Sequence, residues 1–192
     1  RTLKVLEFEK IKETLQSFAA SSLGKEKAKQ LKPSTNIEEV RSNQLQTDEA
    51  ATVLRLKGEV PLGGIADVRP HVKRAEIGGV LNTQELNAIA GTIYATRQLK
   101  KFLETLQDAE IAVPFLEQLI EEMVAIPELE REIKSSIDEY GEVLDGASDA
   151  LRGIRQQLRS TESRIREKLD SLTRSTNAQK MLSDAIVTIR ND

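Results

Sequence analysis

The chain has 192 residues, long enough for one domain or two small ones, and its 39% hydrophobic and 31% charged residues are a globular balance. Aromatic residues make up only 3%, with no Trp, so the core is aliphatic, which suits packed helices better than a β-sandwich. The lack of cysteine excludes a disulfide framework, a thiolate metal site and a cysteine nucleophile, and a net charge of -3 by itself points to neither nucleic acid nor membrane. There is no long apolar run and no signal-peptide pattern, so no membrane partner and a cytoplasmic location are expected. An opening Arg in place of Met reads as a trimmed start.

Phe8, Ile11, Leu15 and Phe18 fall at helical spacing and predict an amphipathic helix from about Val5 to Ala20. A short helix then runs toward Leu31 and stops before Pro33. Thr35 or Asn36 lies three residues before Glu38 or Glu39, the spacing of a capping box, and Ile37, Val40, Gln44, Thr47, Ala51 and Leu54 continue as a helix. Gly58 and Pro61-Leu62-Gly63-Gly64 punctuate the chain. A short helical segment carries His71, Lys73 and Arg74 and ends at Gly78-Gly79. Asn82 caps the next helix, with Glu85 completing a capping box and Leu81 opposite Leu86 as a staple; that helix extends to about Gln107. Two shorter helices flank Pro127, which is tolerated at a helix start, and Tyr140-Gly141 begins a turn.

From Ala147 the pattern predicts the longest helix. Leu151, Ile154, Leu158, Thr161, Ile165, Leu169 and Leu172 alternate steps of three and four, a narrow coiled-coil-like stripe that needs a partner helix. About 25–30 residues of helix span about 40 Å. Ala185-Ile186-Val187-Thr188-Ile189 is β-branched and short, and reads as a strand with nothing to pair with. Charge is blocked along this half. Glu104 to Asp149 holds fourteen acidic residues against Arg131 and Lys134; Ala150 to Lys180 holds eight basic residues against three acidic ones. Two solvated faces that attract each other would explain this, and so would a basic helix touching phosphate.

Catalytic chemistry is hard to find. His71 is the single histidine, which excludes a His-rich metal site; a Ser-His-Asp arrangement through Asp67 lacks any nucleophile elbow. Gly24-Lys25 is a helix-end glycine, not a phosphate loop, because Glu26 stands where Ser or Thr is required. Pro61-Leu62-Gly63-Gly64 lacks a lysine and hydroxyl and reads as a structural turn. The carboxylates of the acidic block follow no EF-hand order, and Tyr94 and Tyr140 are too isolated for a base-stacking platform. The chain is expected not to be an enzyme on its own.

Three stretches together carry a resemblance. The first is Leu54-Arg55-Leu56-Lys57-Gly58 with Pro61-Leu62-Gly63-Gly64-Ile65, Asp67-Val68-Arg69 and Arg74-Ala75-Glu76. The second is Gly141-Glu142-Val143-Leu144-Asp145 running into Leu151-Arg152-Gly153-Ile154-Arg155. The third is Gln179-Lys180-Met181-Leu182 through Ile189-Arg190-Asn191-Asp192. In this order and spacing they resemble the N-terminal region of the second MutS paralogue family of bacteria, MutS-two, over nearly the whole chain.

The resemblance implies a MutS without its mismatch-reading and connector domains: a helical core and lever, a clamp, an ABC-type ATPase and a C-terminal Smr nuclease domain. It further implies limitation of homologous recombination and, in some bacteria, the splitting of collided ribosomes. No Walker A sequence and no Smr domain are present, so no catalytic residue carries over. The resulting expectation is an all-α fold: a MutS core-like helical bundle over residues 1–146, a projecting lever helix over 147–178, and a short C-terminal strand within 179–192 that enters the clamp. A lever works because a long rigid helix turns a small rotation at its base into a large displacement at its tip.

No cofactor or metal is expected here; by resemblance ATP and Mg belong to the parent, which acts as a homodimer on DNA, ribosomes or both. Arg152, Arg155, Arg159, Arg164, Arg166 and Lys168 are the candidate nucleic-acid-binding residues, although they read as spread around the helix. The alternative is a helical protein-interaction or dimerisation module that uses the Leu–Ile seam without touching nucleic acid.

Overall fold

The computed structural model describes residues 2–175 and Lys180. Among these residues the regular structure is helical, with no strand. The elements are α1 (Thr2–Val5), α2 (Phe8–Phe18), α3 (Ser22–Gln30), α4 (Ile37–Lys57), α5 (Arg69–Glu76), α6 (Thr83–Asp108), α7 (Pro114–Glu121), α8 (Pro127–Ser136), a 3-10 turn (Asp145–Ala147) and α9 (Asp149–Thr173). Contacts divide the chain into two compact units, Arg1–Glu142 and Val143–Asp192. The strand expected at Ala185–Ile189 lies outside the described residues.

Most helix ends follow from local chemistry. Asn36 Oδ1 accepts from the amides of Glu38 and Glu39 at 3.0 and 3.4 Å, satisfying donors that the first turn of α4 leaves open. At α6 the capping box is complete: Glu85 N donates to Asn82 Oδ1 at 2.9 Å, and Asn82 N donates to Glu85 Oε2 at 2.8 Å. Proline occupies the first helical turn of α5, α7 and α8, where its missing amide costs nothing.

Two expectations change. The single helix foreseen from Val5 to Ala20 is broken at Glu7, which adopts φ 50°, ψ 37° in the left-handed region. Neither Gly nor Pro marks that position, so local sequence gives no sign of the break. The longest described helix is α6, with 26 residues against 25 in α9. Its amphipathic pattern is blurred because several neighbours pack on it.

The spine of the first unit is α6. Toward its C-terminal end, Leu103 and Leu106 join Val53 of α4, Val113 just ahead of α7 and Ile120 of α7 in a buried cluster, with Val60, Phe102, Ile111 and Leu116 against it. Toward its start, Ala90 packs with Ile133 and Ile137, flanked by Leu86 and Ile89. Leu106 and Val113 are 0% exposed; each side chain fully withdrawn from water contributes about 1.5–3 kcal/mol.

The segment after α4 docks on α6 by backbone. A Cβ on Gly64 would lie 3.3 Å from the Gly91 carbonyl oxygen, and one on Gly91 would lie 3.3 Å from that of Gly64. Gly64 also has φ +83°, a conformation glycine adopts without steric cost. Ala66 N donates to Thr92 Oγ1 at 3.2 Å beside this crossing. The Pro61–Gly64 stretch is therefore a structural turn seated on α6.

Candidate nucleic-acid interface

The six basic candidates all lie on α9, which Ser148 starts by accepting from Leu151 N at 3.1 Å through its Oγ. At about 100° per residue, Arg152, Arg155, Arg159 and Arg166 share one flank of the helix, whereas Arg164 and Lys168 occupy the other. Between the flanks runs the apolar stripe. Ile154, Leu158, Ile165 and Leu172 on it are each more than half exposed, at 62%, 57%, 54% and 53%.

The cations are not equivalent. Asp145, in the 3-10 turn, accepts from Arg155 Nη1 at 2.8 Å through Oδ1 and from Arg159 Nη2 at 3.0 Å through Oδ2. Arg155 Nη1 also donates to the Val143 carbonyl at 2.7 Å. These two guanidinium groups, Arg155 foremost, hold the Asp145 carboxyl below its usual pKa. Arg152 pairs with Asp149 one turn back, at 3.2 Å. Arg155 is half-buried, and the other five are exposed.

Arg164, Arg166 and Lys168 have no carboxylate within ion-pair reach among the described residues. They are the members of the set whose charge is open to a phosphate. Sequence reading missed the Asp145 clasp, because ten and fourteen residues separate the partners and no helical spacing links them.

The first unit places the other chemistry-bearing residues in structural roles. His71 Nδ1 lies 3.5 Å from Glu85 Oε1, and Glu85 also pairs with Arg74. Asp67 engages Arg69 through two contacts of 2.7 Å, so the arrangement of Asp67 with His71 weighed from sequence does not form. Gly24 sits in the first turn of α3, its amide donating to Ser21 Oγ at 3.0 Å. Among the described residues no group of His, Cys, Asp or Glu is disposed to hold a metal. None of the described helices is long and apolar enough to cross a membrane.

The described residues form a helical unit and, apart from it, a cationic amphipathic helix. Comparison with known proteins finds relatives similar over the whole chain. The chain is 57% identical over all 192 residues to endonuclease MutS2 of Bacillus cytotoxicus, 56% to that of Bacillus mycoides and 55% to that of Bacillus thuringiensis. It spans 24% of the length of each of these relatives. Over its full length the chain corresponds to the N-terminal 24% of endonuclease MutS2. No family model matches the chain.

Proposed function

We propose that this chain is the non-catalytic core and lever module of a MutS-family protein whose ATPase and Smr nuclease activities, with their ATP and Mg, lie in other segments. In that reading the whole protein is a cytoplasmic homodimer that acts on branched DNA or collided ribosomes, limiting recombination and rescuing ribosomes. Helix α9 is the lever arm. The observation that carries the reading is α9 itself: 25 residues, about 37 Å at 1.5 Å per residue, with Arg164, Arg166 and Lys168 uncompensated. The similarity to proteins named as endonuclease MutS2 supports the family assignment of the parent.

The test is a titration of the chain against branched DNA, duplex DNA and ribosomes at low and moderate salt, with R164E/R166E/K168E beside the wild type. These three positions are better probes than Arg155 and Arg159, whose reversal would also break the Asp145 clasp. Binding that falls steeply with salt and weakens at least tenfold in the variant is expected, because each neutralised phosphate releases counterions. Equal binding by both proteins would end the claim that α9 touches nucleic acid.

The exposed Ile154, Leu158, Ile165 and Leu172 favour a second reading, an interaction or dimerisation module. It requires salt-insensitive self-association, which I154D/I165D would abolish.

A further inference from the structure

Helix α4 meets the core of the first unit through one face. Val53 is buried in the cluster with Leu106 and Val113, and Glu49 accepts from the amides of Phe115 and Leu116. At about 100° per residue, Ile37, Val40, Gln44, Thr47, Ala51 and Leu54 lie on the opposite face, in the a and d positions of three heptads. Ile37 and Leu54 are 59% and 52% exposed; Gln44, Thr47 and Ala51 are exposed and Val40 is half-buried. An open groove follows the middle of this face, along Val40, Gln44, Thr47 and Ala51. Arg41 and Asp48, both exposed, run along one edge. Arg41 pairs within its own helix, with exposed Glu38 at 3.2 Å. Among the described residues Asp48 has no cation within ion-pair reach.

This face is complementary to itself. Laid antiparallel on a second copy with Gln44 opposite Thr47, it also sets Val40 opposite Ala51 and Ile37 opposite Leu54, and a two-fold axis repeats each pairing. The end layers are then apolar, the next layers match a larger side chain with a smaller one, and the middle sets amide against hydroxyl. A polar layer of that kind fixes register at some cost in stability. Arg41 of each copy stands opposite Asp48 of the other. Sliding by one heptad either brings Arg41 against Arg55 and Asp48 against Asp48, or brings Arg41 against Arg41. A parallel pair would set Asn43 against Asp48 and Ala50 against Arg55, with no ion pair. Size, polarity and charge therefore agree in one arrangement, and like charges oppose its neighbours.

We propose that this face of α4 is a contact between two copies of the chain, which associate about a two-fold axis as an antiparallel helix pair. The proposal rests on the homodimer of the functional reading above and assigns it a surface in the first unit, separate from the apolar stripe of α9. The contact is small, so association of the 192-residue chain by itself is weak, in the micromolar range.

The experiment exploits the lack of cysteine in the chain. V40C and A51C proteins are oxidised separately and as a mixture, and disulfide-linked dimer is read on a non-reducing gel. In the antiparallel register two copies of position 40 lie about 16 Å apart along the axis, too far to bridge. The mixture should therefore give at least tenfold more linked dimer than either protein alone. Sedimentation equilibrium of the cysteine-free chain reads the affinity: R41D should weaken dimerisation at least fivefold, R41D/D48R should restore it, and I154D/I165D should leave it unchanged. Circular dichroism checks that each variant keeps its helix content. The proposal is overturned if V40C links to itself as readily as to A51C, if R41D dimerises like wild type, or if I154D/I165D alone dissociates the dimer. A chain that stays monomeric also overturns it, while leaving a homodimer of the whole protein to other segments, so the two failures are distinguishable.

Discussion

Glu130 is a carboxylate whose side chain is only 7% exposed, and its position depends on two cations. Arg97 on α6 donates to both its oxygens, at 3.2 and 3.1 Å, and Lys134 one turn along α8 donates at 2.7 Å. Both cations lie over the Tyr94 ring, at 5.1 and 4.4 Å from its centroid. Hydrogen bonding from Arg97 lowers the pKa of Glu130 despite its burial. A carboxyl with a depressed folded pKa contributes stability that is fully present above its unfolded value, about 4.3, and lost as pH falls through the folded value. The unfolding midpoint should therefore drop below about pH 4, and Glu130→Gln should flatten that drop; superimposable pH profiles would remove Glu130 from the account. The residues of this cluster were visible in sequence only as charges, because 33 positions separate Arg97 from Glu130.

Among the elements, two helices end in the same way on different residues. After α5, Gly79 N donates to the Arg74 carbonyl and Gly78 N to that of Ala75, both at 2.9 Å, with Gly78 at φ 82°. After α6, Ile111 N donates to Leu106 O at 3.0 Å and Glu110 N to Gln107 O at 2.9 Å, with Glu110 at φ 53°. Both are Schellman endings, which favour glycine at the left-handed position. Replacing Glu110 with Gly should stabilise the first unit by about 1 kcal/mol, read as a higher denaturant midpoint at unchanged slope; a lower midpoint would contradict it.

The start of α7 is capped from a distance. Glu49 of α4 accepts from Phe115 N at 3.1 Å and Leu116 N at 3.3 Å. Glu49→Ala should cost about 1 kcal/mol and raise hydrogen exchange at these two amides first, whereas unchanged exchange there would show that the cap is dispensable. The contrast with α6 explains what sequence could and could not say. Asn82 and Glu85 are three residues apart and their box was readable, whereas the Glu49 cap and the Glu7 break depend on the assembled fold.

At the scale of the molecule, the helical class followed from an aliphatic composition and from stripes at 3.6-residue spacing, and the full-length similarity to endonuclease MutS2 matches the family resemblance carried by the stretches from Leu54 to Glu76, Gly141 to Arg155 and Gln179 to Asp192. The arginines of α9 were legible as a basic block, but their division into clasped and open members was not, since charge along a sequence does not say which carboxylate folds back. The Gly64–Gly91 crossing has a consequence for how this protein can vary. Two main chains meet there without side chains, so neither position can compensate for a change at the other. A library that randomised both codons and was sorted for folded protein would return glycine at 64 and small residues at 91, whatever happened to the turn around them. Such a pair records the geometry of a fold in a form that no hydrophobic pattern carries.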